Sequence, residues 1–166
     1  MRCIFRVGGR TASFAPYSVM GEIKNNRQNP NNQAISRIIQ LRIQKLTEIP
    51  AKVHFLMEIQ PYEIGLFEYD KNKSSIQGSL EILQAVLALF QNIQEWNEAA
   101  LLETLKMHIE KTGLKTGTVM WPIRIALSGL KSTPGGATEI AYILGKAETM
   151  ERIQAAITLI KSNPGA

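Results

Sequence analysis

The sequence is poor in the residues that build disulfides and metal sites. It has a single cysteine, Cys3, which excludes an internal disulfide and a zinc site made of several cysteines. Its two histidines, His54 and His108, fall on different predicted helices, and neither has a second histidine four residues later. It also lacks a Walker-type glycine-rich loop and a serine in a strand–turn–helix elbow. We therefore expect no metal site and no catalytic residues in this chain.

Long apolar runs are missing as well. The most apolar stretch, near Ile82–Ile93, is interrupted by Gln84 and Gln91 and is too short to span a bilayer. The first twenty residues contain arginines but no apolar core followed by a small-residue cleavage site, so we expect no secretory signal. The sequence thus predicts a cytoplasmic protein. Because 45% of its residues are hydrophobic and 20% charged, we expect a folded chain.

The charge is unevenly distributed. The net charge of +5 comes from the first third, where residues 1–61 hold nine Lys/Arg against three Asp/Glu, whereas residues 62–166 hold ten against eleven. Even so, no acidic residue occurs between Glu110 and Glu139, a window that contains four cations. A positive patch of this kind suits a polyanion such as RNA, although a solvated basic face has the same composition. The four cations are Lys111, Lys115, Arg124 and Lys131.

The chain divides into three parts by its pattern. Residues 1–33 contain Gly, Pro and a polar Asn/Gln-rich run, which favours loop or disorder, with a short strand at residues 3–7 as an unsupported alternative. Residues 34–61 show helical spacing of apolar side chains, with Pro50 opening a second helix whose inner stripe is Val53, Leu56, Met57 and Gln60. Residues 62–163 form the third part.

Helical periodicity continues through the third part, so the predicted fold class is all-α. A buried helix is expected near residues 80–90, and a second at residues 98–112, capped by Asn97 and closed by Gly113. Pro122 is expected to begin a helix closed by Gly129, and Pro134 to begin another, capped by Ser132 or Thr133 and ending at Gly145. A last helix is predicted over residues 146–160.

The two proline-initiated helices suggest a binding site. If Pro122 starts a helix, Arg124 lies in its first turn beside unpaired backbone N–H groups, and the Lys131–Pro134 stretch leads into the start of the next helix. Two such helix ends favour an anion or the edge of a base. Trp121 could offer a flat face for stacking or pack in the core, and both readings stay open.

The order of several short motifs resembles the C-terminal anticodon-binding region of bacterial glutamate–tRNA ligases. The matching pieces are Trp121–Gly129 (WPIRIALSG), Ser132–Gly135, Ile143–Lys146, Arg152-Ile153, Arg42–Pro50 and Pro61–Lys73. The resemblance covers about residues 35–161 and implies an α-helical cage that binds an anticodon stem-loop, with residues 34–61 as the end of the preceding helical lobe. It implies that Arg124 and the turn Thr133-Pro134-Gly135 meet anticodon bases.

This resemblance sets the expected function. The chain is expected to be a monomer that binds tRNA, with tRNA(Glu) as the expected partner, and to catalyse nothing, because it lacks the class I catalytic domain to which ATP and magnesium belong. No cofactor is expected. Lys71–Ser75, a lysine–serine run, resembles a class I ATP signature but lacks its sheet, so we interpret it as a basic turn. The candidate RNA-binding residues are Lys111, Lys115, Trp121, Arg124, Lys131, Thr133, Pro134 and Gly135.

Two rival hypotheses remain from the sequence. A complete small synthetase would need nucleotide-binding motifs that the chain lacks. A helical adaptor for proteins would bind partners through an apolar surface. The adaptor gains support from Gly136-Ala137, because many relatives carry bulky apolar residues directly after the proline–glycine pair.

Overall fold

The computed structural model describes residues 30–40 and 46–163, and within these residues the chain is helical. No strand occurs in them apart from an isolated bridge between Tyr69 and Ser74. The all-α prediction is therefore confirmed. The α-helices are α1 (Pro30–Gln40), α2 (Ile49–Met57), α3 (Ile76–Gln91), α4 (Glu98–Thr112), α5 (Thr116–Ser128), α6 (Ala137–Leu144) and α7 (Lys146–Lys161), and short 3₁₀ turns lie at Leu46–Glu48, Ile64–Phe67 and Asp70–Asn72.

Local capping residues fix several helix ends where the sequence places them. The Asn97 side chain accepts a hydrogen bond from the Ala100 N–H at 2.9 Å and starts α4. Gly113 (φ 66°) closes α4 and Gly129 (φ 67°) closes α5, each in the left-handed conformation that favours glycine. These predictions are confirmed, as is the last helix, which ends one residue later than expected.

The prediction that Pro122 begins a helix is wrong. Helix α5 begins at Thr116 and passes through Pro122, which is buried inside it. Proline in a helix interior removes one backbone hydrogen bond, but the buried side chains on both sides of it, Trp121 and Ile123, keep the helix continuous. Arg124 consequently lies eight residues, about 12 Å, from the helix start and not in its first turn.

The prediction that Pro134 begins a helix is also wrong. Helix α6 starts at Ala137, with Gly136 as its N-cap. The Glu139 carboxylate accepts the Gly136 N–H at 2.8 Å, so an acidic side chain of the same helix already occupies this N-terminus. In the sequence, this start is marked by Gly136 followed three residues later by Glu139. Pro134, which also favours a helix start, led to the wrong prediction.

The first two helices follow the expected pattern with one correction. Ala34 and Ile38 are buried in α1, and Pro50 lies in the first turn of α2. Met57, however, is 53% exposed, and Gln60 lies beyond the helix, because α2 ends at Met57 and the inner positions are Val53 and Phe55. Helix α1 begins at Pro30, so the loop predicted through residue 33 is wrong for residues 30–33. The rest of the predicted segment 1–33 and the Arg42–Ile43 pair lie outside the described residues.

The long helices α3 and α7 form the antiparallel centre of the bundle. The Lys146 ammonium, at the start of α7, donates to the carbonyls of Gln91 (2.9 Å) and Ile93 (2.7 Å) at the end of α3, a position where a cation stabilises a helix. Helices α5 and α6 pack beside this pair. The fully buried side chains of the core include Phe67, Leu83, Val86, Phe90, Leu101, Leu105, Ile123, Leu127, Ile140 and Ile153.

Candidate nucleic-acid interface

The segment between α2 and α3 runs antiparallel along α5. The Trp121 indole N–H donates to the Leu66 carbonyl at 3.0 Å, and one helical turn earlier the Thr118 hydroxyl donates to the Asn72 carbonyl at 2.6 Å. Between these contacts, Tyr69 stacks on Trp121 with ring centroids 4.2 Å apart and an interplanar angle of 13°. Later residues of the segment thus meet earlier residues of the helix. This pairing determines which side chains share the α5 surface.

One end of this pairing brings three lysines together. Asn72 packs so closely on Gly117 that a β-carbon there would lie 2.8 Å from the Asn72 side-chain oxygen. Lys71 and Lys73 flank Asn72 in the chain, and Lys115 is the N-cap of α5, so their Cα atoms lie within two residues of this contact. All three lysines are exposed. The basic turn predicted at residues 71–75 therefore adjoins the cation-rich window that begins at Lys111.

Further along α5, an aromatic platform supports Arg124. The Arg124 guanidinium carbon lies 4.8 Å from the centre of the Trp121 ring, a cation–π distance. The Arg124 Nε is buried and has no hydrogen-bond partner among the described residues. Burial lowers the pKa of Arg124 from its ordinary value and the adjacent Tyr69 acts in the opposite direction, while an arginine remains charged at neutral pH. Trp121 thus contacts both Tyr69 and Arg124.

The environment of Trp121 decides between its two sequence-based roles. The indole is only 5% exposed, it donates to Leu66, and it is stacked on Tyr69 and covered by Arg124. A base would have to displace one of these neighbours to stack on it. Trp121 therefore belongs to the core and acts as the support of Arg124, and the exposed stacking face is not present in this structure.

The proline–glycine turn lies against the first helix. Pro134 and Gly135 are buried, and a β-carbon on Gly135 would lie 3.4 Å from the Ile38 side chain, in ordinary van der Waals contact. The Thr133 hydroxyl donates to the Gly135 carbonyl at 2.7 Å and holds the turn closed. Thr133 remains partly exposed, and Lys131 before it is exposed. Of the predicted site residues in this loop, Lys131 and Thr133 are the two that a ligand can reach.

The structure brings some predicted site residues together and keeps others apart. Trp121 and Arg124 are in contact, and Lys115 lies at the N-terminus of the same helix. Two adjoining helix starts around Arg124, which the sequence suggested, do not exist, because α5 starts about 12 Å before Arg124 and the start of α6 is capped by Glu139. The shared feature of the site is therefore the α5 surface and not a pair of helix ends.

Sequence reasoning missed Tyr69, Lys71 and Lys73. They lie in a segment of short 3₁₀ turns that has no periodic pattern, and their closeness to α5 depends on contacts between residues 46 to 55 positions apart. One signal was available, because Tyr69 and Lys71–Lys73 fall inside the Pro61–Lys73 motif of the family resemblance. The motif indicated order along the chain but not which helix the segment packs against.

Cations of this surface have no carboxylate partners within residues 30–40 and 46–163. The ion pairs found there engage Arg37, with Glu98 and Glu139, and Arg152, with Glu148. None of them engages Lys71, Lys73, Lys111, Lys115, Arg124 or Lys131.

This part of the chain also holds no group of three or more His, Cys, Asp or Glu side chains placed to bind a metal ion. None of its helices is long and apolar enough to cross a membrane.

An apolar recess lies elsewhere, between α2 and the end of α5. It is open to solvent, has a volume of about 520 Å³ and adjoins the exposed side chain of Leu130. Because α2 packs near the C-terminal end of α5, this recess and the lysines at the N-terminal end of α5 are separated by the length of that helix. Its lining residues are Pro50, Ala51, His54, Phe55, Gln60, Pro61, Ser128, Gly129 and Leu130.

The cations lie on several elements around α5, and comparison with known proteins specifies the class of this helical protein. Residues 11–157 match the anticodon binding domain family, and the chain belongs to this family. The match begins well before residue 34, so the expected boundary at residue 33 does not coincide with the start of the family's pattern.

Similar full-length proteins are synthetases. The chain is 40% identical over 131 residues to the glutamate–tRNA ligase of Clostridium acetobutylicum, which covers 79% of this chain and 27% of that protein. It is 40% identical over 128 residues to the glutamate–tRNA ligase of Clostridium tetani, covering 77% and 26% respectively. The chain thus spans about a quarter of the length of these relatives.

A solved structure shares the fold. The crystal structure of a glutamate tRNA ligase from Elizabethkingia meningosepticum, in complex with its amino acid, matches with a TM-score of 0.66 and 20% sequence identity. The match covers 86% of this chain and 29% of that one. The helical architecture of the anticodon-binding type, predicted from the sequence, is therefore confirmed.

Proposed function

We propose that this chain binds the anticodon stem-loop of a tRNA, with Arg124 approaching a base and the lysines around α5 holding phosphates. The observation that supports this most directly is Arg124 itself. Its guanidinium rests on Trp121, it is partly exposed and has no ion pair among the described residues, and the surrounding stretch of chain, residues 111–138, contains no acidic residue. A cation kept unpaired in this way is suited to bond with an acceptor supplied by RNA.

The partner follows from the relatives. Both clostridial relatives are glutamate–tRNA ligases, so tRNA(Glu) is the expected partner and the chain would act as the C-terminal, anticodon-recognising portion of such an enzyme, as a monomer in the cytoplasm. Aminoacylation would then be carried out by the part of such an enzyme that this chain does not cover. We expect the chain alone to show no glutamate-dependent ATP–pyrophosphate exchange, and detection of such exchange would contradict this assignment.

Anticodon binding can be tested with RNA hairpins. We expect the chain to bind the tRNA(Glu) anticodon stem-loop more tightly than a hairpin of the same length with a scrambled loop, in fluorescence anisotropy at fixed salt. Arg124→Ala should weaken binding by about 1–3 kcal/mol if the guanidinium bonds a base edge. Arg37→Ala is the matched control, because Arg37 is an exposed arginine already paired with Glu98 and Glu139. Equal affinity for both hairpins would disprove the proposal.

A further inference from the structure

The lysines at the N-terminal end of α5 form an unbalanced cluster of charge. Lys71, Lys73 and Lys115 are exposed, and no carboxylate within the described residues is paired with them. The acidic residues nearest in the chain, Asp70 and Glu110, are also exposed and leave the local sum positive. Lys115 moreover lies at the positive end of the α5 dipole, where a cation is unfavourable. The cluster therefore offers positive charge that an anion could neutralise.

The turn that carries two of these lysines is held firmly in place. Its ends are closed by backbone hydrogen bonds between Tyr69 and Ser74 in both directions, at 3.0 and 3.2 Å. The Thr118 hydroxyl ties its middle to α5 through the Asn72 carbonyl, at 2.6 Å. Lys73 adopts a left-handed conformation, with φ 50°, within this closed turn. Two lysines are therefore presented beside the third by structure formed before any ligand binds.

The turn and Arg124 lie along the same side of α5. Tyr69, which stacks on Trp121, directly precedes the turn in the chain, and Gly117, on which Asn72 packs, lies two helical turns before Arg124, about 10 Å along the axis. A ligand that reaches both must be extended and must carry negative charge along its length. A sugar–phosphate backbone has these properties, and a single phosphate does not.

We propose that Lys71, Lys73 and Lys115 form a phosphate-binding site that holds the sugar–phosphate backbone of an RNA while Arg124 approaches its bases. The inference rests on the proposed function, because it assumes an RNA at Arg124. It adds Lys71 and Lys73, which the sequence presents only as a basic turn, and gives the segment between α2 and α3 a role in binding. Phosphate contacts position an RNA without reading its sequence, so the site contributes affinity and not discrimination.

Salt dependence of binding separates this site from base recognition. The probe is the tRNA(Glu) anticodon stem-loop, titrated into the full chain at several salt concentrations. For the double variant Lys71→Gln/Lys73→Gln we expect affinity about tenfold lower at low salt, and a slope of log K against log salt that is shallower by about 0.7–0.9 for each phosphate that the variant no longer neutralises. The ratio of affinities for the cognate and scrambled hairpins should not change. An unchanged slope would overturn the inference.

Two further variants separate charge from geometry. Lys52→Gln removes an exposed charge from α2, which packs near the opposite end of α5, and should leave the slope unchanged; an equal loss there would mean that only net charge matters and would refute the site. Thr118→Val keeps every charge but removes the hydroxyl that ties the turn to α5. It should weaken binding several-fold with unaltered helix content, whereas wild-type affinity would show that the docked turn is not needed.

Failure of the inference and failure of the proposed function give different results. If the wild-type chain prefers the cognate hairpin and the lysine variants bind as it does, the function stands and the phosphate site is refuted. If the wild-type chain binds both hairpins equally while the lysine variants still reduce the slope, the site stands and anticodon recognition is refuted.

Discussion

Two arginines in this bundle differ in how their hydrogen-bonding groups are satisfied. Arg152 is 5% exposed, and its Nη1 donates to the carbonyls of Phe55 and Leu127, both at 2.7 Å. Its Nε bonds to Glu148 at 2.6 Å. Arg124, by contrast, lies on an aromatic ring with its Nε unpartnered among the described residues.

The difference indicates different roles for the same side chain. Arg152 connects α2, α5 and α7 through groups that would otherwise be buried without partners, so its function is met within the protein. The Arg124 Nε has no hydrogen-bond partner among the described residues, and the lysines near α5 have no carboxylate partner there. A satisfied arginine stabilises the fold, whereas Arg124 is partly exposed, has no ion pair among the described residues and is therefore available to a ligand. Substitutions of these arginines and of their aromatic neighbours test the contrast, beginning with the largest expected effect.

Removing Arg152 should have the largest consequence. Arg152→Leu leaves the Phe55 and Leu127 carbonyls without their donor and should lower the free energy of unfolding by about 3–5 kcal/mol. Urea denaturation monitored by circular dichroism measures the change. Arg37→Ala, which breaks exposed ion pairs, should leave stability close to that of wild type. If the two variants were equally stable, the Arg152 contacts would contribute little to the fold.

The tyrosine beside Arg152 gives the stability a pH dependence. Burial raises the pKa of Tyr62 to about 12, and Arg152 acts in the opposite direction. Because the folded pKa lies above the unfolded value of about 10, stability is complete below pH 10 and is lost as the pH rises from 10 towards 12, by roughly 2 kcal/mol. Tyr62→Phe should flatten this decline. Parallel declines in wild type and variant would assign the base sensitivity to other groups.

Much of the fold could be predicted because its helix ends are set by local chemistry. Asn97 and Gly113 delimit α4 through contacts within four residues, and the sequence predicts both ends correctly. Pro122 and Pro134 misled the prediction because proline commonly starts helices, whereas here the packing of Trp121 and Ile123 holds α5 together through Pro122. Where a local preference and the core disagree, the core prevails.

The candidate site could be predicted only as a group of residue types. The absence of acidic residues from 111–138 pointed to the stretch that contains α5, and the family resemblance pointed to Arg124. The geometry proposed for it was wrong, because that geometry depended on Pro122 as a helix start. Lys71 and Lys73 join the surface through the Asn72–Thr118 contact across 46 residues, which no periodic pattern records. The assignment of RNA contacts to individual residues stays a prediction.

Arg124→Lys changes the shape of the head group but keeps its charge, so it tests the proposed role of Arg124 in binding a ligand. Arg124→Lys should reduce the preference for the cognate hairpin by about 2 kcal/mol, because an ammonium cannot make the planar, two-point contact of a guanidinium. The salt slope and the free energy of unfolding should stay close to those of wild type. Competition anisotropy with the two hairpins measures the preference. A changed salt slope with unchanged preference would instead make Arg124 a phosphate contact.

The smallest expected effect concerns Tyr69, the ring that stacks on Trp121. Tyr69→Leu removes the partner stacked on Trp121 and should lower the free energy of unfolding by about 1 kcal/mol, while Tyr69→Phe keeps the ring and should be close to neutral. If the aromatic pair positions the guanidinium, Tyr69→Leu should also lose part of the hairpin preference that Arg124→Lys loses, and Tyr69→Phe should retain it. If only stability changes, the Tyr69–Trp121 pair contributes packing alone and does not position Arg124 for a ligand.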